Sequence, residues 1–194
     1  MKKILINLFA VVAVAVSLSS CGYNSIVEKQ EAATSALAQV ETEYQRRMDL
    51  IPNIVKVAQQ NAKFEQQTLI GVVEARKYAS DVKIDGSKMT QEDIDKYQQA
   101  QQSLSGALGR FLSVAESYPD LKASQGYMNL MTELEGSENR ITVARVRFNN
   151  AVNDYNTYIR KFPNNFTASW FDFEKMGYFK ADPAAAKAPE VKFE

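Results

Sequence analysis

In the stretch IVEKQEAATSALAQVETEYQRRMDLIP, residues 26–52, the apolar side chains Ile26, Ala33, Leu37, Val40, Tyr44 and Ile51 recur three, four or seven positions apart. Gln30 and Arg47 fill two slots of the same stripe, while Glu28, Lys29, Glu31, Gln39 and Glu43 lie off it. A stripe of this period is one face of an α-helix, and it must be buried against other helices. At its end Pro52 disfavours helical geometry at Ile51, and Asp49 can cap a new helix with the proline in its first turn. The sequence therefore predicts a break or sharp kink between Arg47 and Pro52.

Outward from this stretch the same period continues. A second helix is predicted from about Pro52 to Ala79, burying Ile54, Val57 or Ala58, Phe64, Leu69, Val72 and Ala75. Gly86 and scattered polar residues make Ser80 to Met89 a loop. Thr90 with Asp93 resembles a capping box and starts a third helix that ends near Tyr118-Pro119. After a short turn Ser124 can cap a fourth, carrying Tyr127, Leu134, Ile141, Phe148, Val152, Tyr155 and Ile159. Four such helices with short connections predict an all-α, antiparallel four-helix bundle. Beyond Phe162-Pro163, the residues Phe166, Trp170, Phe171, Phe173, Tyr178 and Phe179 form an aromatic segment that either folds back to seal one end of the bundle or lies at a membrane interface. Docking on the bundle is the expectation, because Asp172 and Glu174 disfavour an anionic bilayer.

The N-terminus has a different character. Lys2 and Lys3 precede an apolar run from Ile4 to Val16, broken only by Asn7, and then Leu18-Ser19-Ser20-Cys21-Gly22. A charged start, a short apolar run and small residues before a cleavage point make a secretory signal, and Leu-Ser-Ser-Cys looks like the lipobox of bacterial lipoproteins. Cys21, the single cysteine, is the expected lipidation site, and two or more acyl chains on it make a stable anchor. The predicted organisation is 1–20 signal peptide, 21–25 lipid-anchored N-terminus, 26–180 bundle with its aromatic segment, and 181–194 disordered tail. The predicted place is the bacterial cell envelope, outside the cytoplasm.

An ordered set of short blocks points to a family. These are Tyr23-Asn24-Ser25-Ile26-Val27, Arg46-Arg47-Met48-Asp49-Leu50-Ile51-Pro52-Asn53, Thr68-Leu69, Ala75-Arg76 and the run from Ala115 to Ala123. They continue with Glu138-Asn139-Arg140-Ile141, Phe148-Asn149, Tyr155-Asn156 and Phe162-Pro163-Asn164-Asn165. Together they resemble the LemA family of bacterial envelope proteins across nearly all of the chain after Cys21. The resemblance implies a LemA-like helical bundle outside a membrane anchor, and it implies no particular reaction. The chain departs from the family in its lipobox, where members often carry a transmembrane helix, and at Leu37, where members commonly have tryptophan.

Composition narrows the chemistry further. The chain has 23 basic and 23 acidic residues, and removing Lys2 and Lys3 leaves −2, so nothing marks a nucleic-acid surface. It has no histidine, which removes Ser-His-Asp and Cys-His systems and the Glu-x-x-His motif of di-iron bundles. Asp81, Asp85, Gly86 and Glu92 fall on calcium-loop spacing, but Lys83 replaces an oxygen ligand, so no metal or cofactor is expected. Arg46 and Arg47 are candidate contacts for an acidic envelope protein partner or a lipid head group, but the favoured reading is structural, stabilising a helix C-terminus and pairing with Glu135 or Glu138. Asn149 and Asn156, each following an aromatic, read as capped or bridging amides. The expected role is a non-enzymatic interaction or scaffold module, tethered to a membrane through lipid at Cys21. The alternative is a ligand-binding or sensory module using a groove between helices.

Overall fold

A computed structural model of the chain describes residues 2–60, 64–86 and 88–181, with side chains from residue 22 onward. Six α-helices and no strand occur among the described residues: α1 Lys2–Gln59, α2 Gln66–Asp81, α3 Gln91–Ala115, α4 Pro119–Lys122, α5 Gln125–Arg160 and α6 Asn164–Trp170. The fold is an all-α bundle, as the stripes required. The tail expected at 181–194 falls outside the described residues after Ala181.

The predicted break before Pro52 does not occur. α1 runs through the proline for 58 residues, so the first turns of the expected second helix belong to it. Proline inside a helix leaves the carbonyl four residues back without its N–H donor. That carbonyl is on Met48, and Arg76 of α2 donates its Nε hydrogen to it at 2.8 Å. Asp49 caps nothing; it accepts a hydrogen bond from Gln45 one turn earlier, at 2.7 Å. The second helix itself begins only at Gln66, after Phe64 has turned inward against Phe111 and Tyr118.

The other boundaries follow their caps. Thr90 Oγ1 accepts from the Asp93 backbone N–H at 3.2 Å and donates to the Asp93 carboxylate at 2.6 Å, starting α3. Ser124 Oγ accepts from Tyr127 N–H at 3.3 Å and starts α5. The stretch Pro119–Lys122, read as a turn, closes into the short helix α4.

Two apolar clusters fill the bundle in series. One joins Ile26, Leu37, Val40, Tyr44, Ile94, Tyr97, Phe148, Val152 and Tyr155; the other joins Ile51, Ile54, Ala58, Leu69, Val72, Leu104, Phe111 and Leu134. A polar layer separates them, because Arg47, Gln101 and Ser137 occupy stripe positions at that height and are all buried. α1 packs along α5, and α2 along α3. α2 is too short to line the first cluster, so its place there is taken by residues 82–90 and by the extended chain after α6, which contribute Ile84, Met89, Met176 and Phe179.

Candidate functional site

The end of the bundle that carries Gly22 also carries the most exposed large apolar side chains among the described residues, Trp170, Phe162 and Phe166. The side chain of Cys21 lies outside the described residues. Next to it, a methyl group built on Gly22 would sit 3.5 Å from side-chain oxygens of Asn164 and Thr167, so α6 lies directly against the start of the bundle. The Tyr23 ring meets Phe171 at 4.8 Å and Phe173 at 5.6 Å. α6 turns Ala168 inward and leaves Phe166 and Trp170 outside. It ends in a Schellman-type cap: Phe173 N–H donates to the Ala168 carbonyl at 2.9 Å, and Asp172 takes the left-handed conformation at φ 59°.

The expectation that the aromatic segment docks on the bundle holds for only half of it. Phe179 is buried against Phe148, with ring centroids 5.2 Å apart, and Met176 is buried beside it. In contrast Trp170 is 86% exposed, Phe162 80%, Phe166 65% and Phe171 55%. The division falls at Asp172, where the chain reverses into an extended strap.

Side-chain amides fix the register of that strap. Asn156 both donates to the Met176 carbonyl and accepts its N–H, each at 2.9 Å, and Asn149 does the same with Phe179 at 2.9 and 3.0 Å. From α3, Gln91 brackets Tyr178 at 2.9 and 3.0 Å, and Gln98 brackets Lys180 at 3.0 Å in both directions. Gly177 N–H donates to the Met89 carbonyl at 2.8 Å. The spacing is physical: seven helical residues rise about 10.5 Å, and three extended residues span about 10 Å. Asn149 and Asn156 on α5 therefore meet Phe179 and Met176 in step. These four amides satisfy backbone groups that would otherwise be orphaned in a groove.

The arginine pair divides. Arg47 is 1% exposed, and its Nη1 donates to Glu138 Oε1 at 2.6 Å and Ser105 Oγ at 2.8 Å. Its Nη2 donates to the Gln101 carbonyl and side-chain oxygen at 3.2 and 2.9 Å, and the guanidinium stacks 5.1 Å over Tyr44. Arg47 is thus a structural residue and no partner can reach it, which corrects its candidacy as a contact. The expected pairing with a carboxylate of the fourth helix falls on Glu138. Arg46 faces out, in a groove of about 660 Å³ shared with Glu41, Asp49 and Lys83. A second groove of about 600 Å³ between α1 and α5 holds Glu43 and Arg140, paired at 3.0 Å.

The near-calcium loop is dispersed. Asp81 closes α2, Gly86 offers its carbonyl to Thr34 at 3.4 Å, and Glu92 pairs with Lys96 at 2.7 Å. Among the described residues no three acidic or thiol groups converge on one point, and no helix is long and apolar enough to cross a membrane.

Comparison with known proteins agrees with this architecture. Residues 36–193 match the LemA family, and the chain belongs to it. It is similar to the magnetosome protein MamQ of Magnetospirillum gryphiswaldense, with 28% identity over 179 residues, 84% of this chain and 66% of the relative. A second MamQ, from Paramagnetospirillum magneticum, is similar to the same extent. The Protein LemA of Metamycoplasma hominis is 25% identical over 160 residues, 81% of this chain and 68% of the relative. The chain thus spans just under two thirds of the length of the MamQ proteins.

Proposed function

We propose that this LemA-family chain is a non-enzymatic interaction or scaffold module of the bacterial envelope, lipidated at Cys21 and held with its bundle outside the cytoplasm. The observation that carries the reading is how the polar side chains are spent. Arg47, Gln98, Gln101, Ser137 and Asn156 are buried, and each bonds to backbone or to a neighbouring side chain. Their chemistry serves packing, and the outward faces are left for recognition. Arg46 is the cation we assign to that recognition, since it shares its stretch of α1 with Arg47 but faces solvent.

A photoreactive side chain at position 42, in the groove beside Arg46, tests the partner in cells. Capture of a second envelope protein is expected, weakened when Arg46→Glu is added, without loss of helix content. Labelling by a fatty-acid analogue tests the anchor: Cys21→Ser should abolish it. A turnover by the purified protein, lost on one serine or carboxylate substitution that leaves it folded, would overturn the non-enzymatic assignment. The groove of Glu41, Arg46, Asp49 and Lys83 favours the second reading, a ligand-binding or sensory module. A small molecule that raises the melting temperature of the wild type but not of Arg46→Glu would select it.

A further inference from the structure

We infer that Phe162, Phe166, Trp170 and Phe171 form an aromatic foot that inserts into the headgroup region of the lipid bilayer, flanked by Arg160 and Lys161 on the lipid phosphates. This rests on the membrane-anchoring reading above, in which a lipid at Cys21 is the anchor. Trp170, Phe162 and Phe166 are the three most exposed large apolar side chains among the described residues. They are not scattered: positions 162, 166 and 170 follow a four-residue step, and the Phe162 and Phe166 rings lie 5.9 Å apart. A contiguous exposed aromatic patch on an otherwise well-packed bundle marks a contact surface.

Its position selects the occupant. α6 lies against Gly22, the residue that follows Cys21, and Phe171 packs on Tyr23. The apolar run Ile4 to Val16 ends only six residues before Gly22, about 9 Å along a helix. A membrane reached by a lipid on Cys21 therefore passes within side-chain reach of the foot. Charge agrees with this: from Arg160 to Phe171 there are two cations and no carboxylate. Of the two carboxylates that argue against an anionic bilayer in the linear sequence, Asp172 makes the reversal and Glu174 follows it into the strap. Tryptophan and phenylalanine on one side of a short amphipathic element, with basic residues at its edge, suit the interfacial zone rather than the hydrocarbon centre.

Trp170 is the only tryptophan, so the intact protein carries its own probe. The full chain is reconstituted into phosphatidylcholine–phosphatidylglycerol vesicles, and flotation reads anchoring separately from the foot. The expected result is blue-shifted Trp170 emission, quenched by acyl chains brominated near the headgroup and shielded from aqueous iodide. A Phe162→Ser/Phe166→Ser variant should still float and keep its helix content, while its Trp170 regains iodide access. If wild-type protein floats but Trp170 stays open to iodide, the foot is wrong and the anchor stands. If the protein does not float, the anchoring reading itself fails. Iodide shielding without bromine quenching would place the foot against protein, such as a second copy, and would also overturn the inference.

Discussion

Arg76 serves the carbonyl of Met48 that Pro52 leaves without a helical donor, so a side chain on α2 repairs a backbone defect in α1. This one bond explains how the helix continues through the proline, and it ties α2 to α1 at the level where the two core clusters meet. Hydrogen bonds from a charged donor contribute about 1.5–3 kcal/mol. Arg76→Leu is therefore expected to lower stability by about that amount. In a Pro52→Ala background the residue 52 amide competes for the same carbonyl, and the loss should shrink. Denaturant unfolding of the four species measures the coupling, expected at about 0.5 kcal/mol or more. Additive effects would show that the bond does not answer the proline.

The strap gives a sharper steric test. A Cβ on Gly177 would lie 2.6 Å from Gln91 Cα and 2.9 Å from the Thr90 carbonyl oxygen, both backbone positions that cannot swing aside. Gly177→Ala should therefore undock residues 173–180 and cost about 1–3 kcal/mol, the range for overpacking. Hydrogen exchange at Met176, Tyr178 and Phe179 reads the undocking directly. Asn156→Leu keeps the number and branching of side-chain heavy atoms but removes the partners of the Met176 N–H and carbonyl, and it should raise exchange first at Met176. Unchanged protection in both variants would refute the amide ladder.

The bundle was legible in residues 26–51 because burial enforces period, and Thr90 and Ser124 were legible because capping is local. What sequence reading missed was non-local. Nothing within the run around Pro52 announces that Arg76, on another helix, will take the Met48 carbonyl, so the proline read as a break. Likewise Asn149 and Asn156 read correctly as bridging amides, but what they bridge depends on where the chain returns after α6. A seven-residue repeat of amides on two helices, Gln91/Gln98 and Asn149/Asn156, is the signal for an extended segment laid between them. The aromatic segment divided because composition cannot show the reversal at Asp172.

Alkaline titration follows from the buried phenols. Tyr155 donates to the Glu174 carbonyl at 3.0 Å, and burial, reinforced by the Glu174 charge, pushes its pKa up to about 12. Burial also raises Tyr44, Tyr97 and Tyr127. In the unfolded chain a tyrosine ionises near pH ~10. The folded state therefore holds protons that the unfolded state releases, and stability falls as pH rises. The contribution of Tyr155 is fully present below about pH 10 and is lost as pH climbs through about 12. Melting temperatures across that window should decline, less steeply for Tyr155→Phe, with phenolate absorbance appearing alongside unfolding. An alkaline profile identical in Tyr155→Phe would remove this phenol from the account.

Arg46 and Arg47 are neighbours with opposite duties, and stability measurements separate them. Arg47 is enclosed by Glu138, Ser105, Gln101 and the Tyr44 ring, while Glu138 is 47% exposed on its outer side. Replacing Arg47 with alanine removes a buried guanidinium from the layer between the two core clusters and leaves a cavity, so a loss of about 3 kcal/mol or more is expected. Arg47→Lys should not rescue it, since one ammonium cannot reproduce two nitrogens serving three side chains and a carbonyl. Glu138→Ala strips the charge partner but admits water, and about 1.5–3 kcal/mol is expected. Arg46→Glu should stay within about 0.5 kcal/mol of wild type, as for an ordinary surface position. Chemical denaturation of the four variants checks the ranking. Should Arg46→Glu cost as much as Arg47→Ala, the exposed arginine would be part of the fold after all, and its assignment to partner recognition would fail with it.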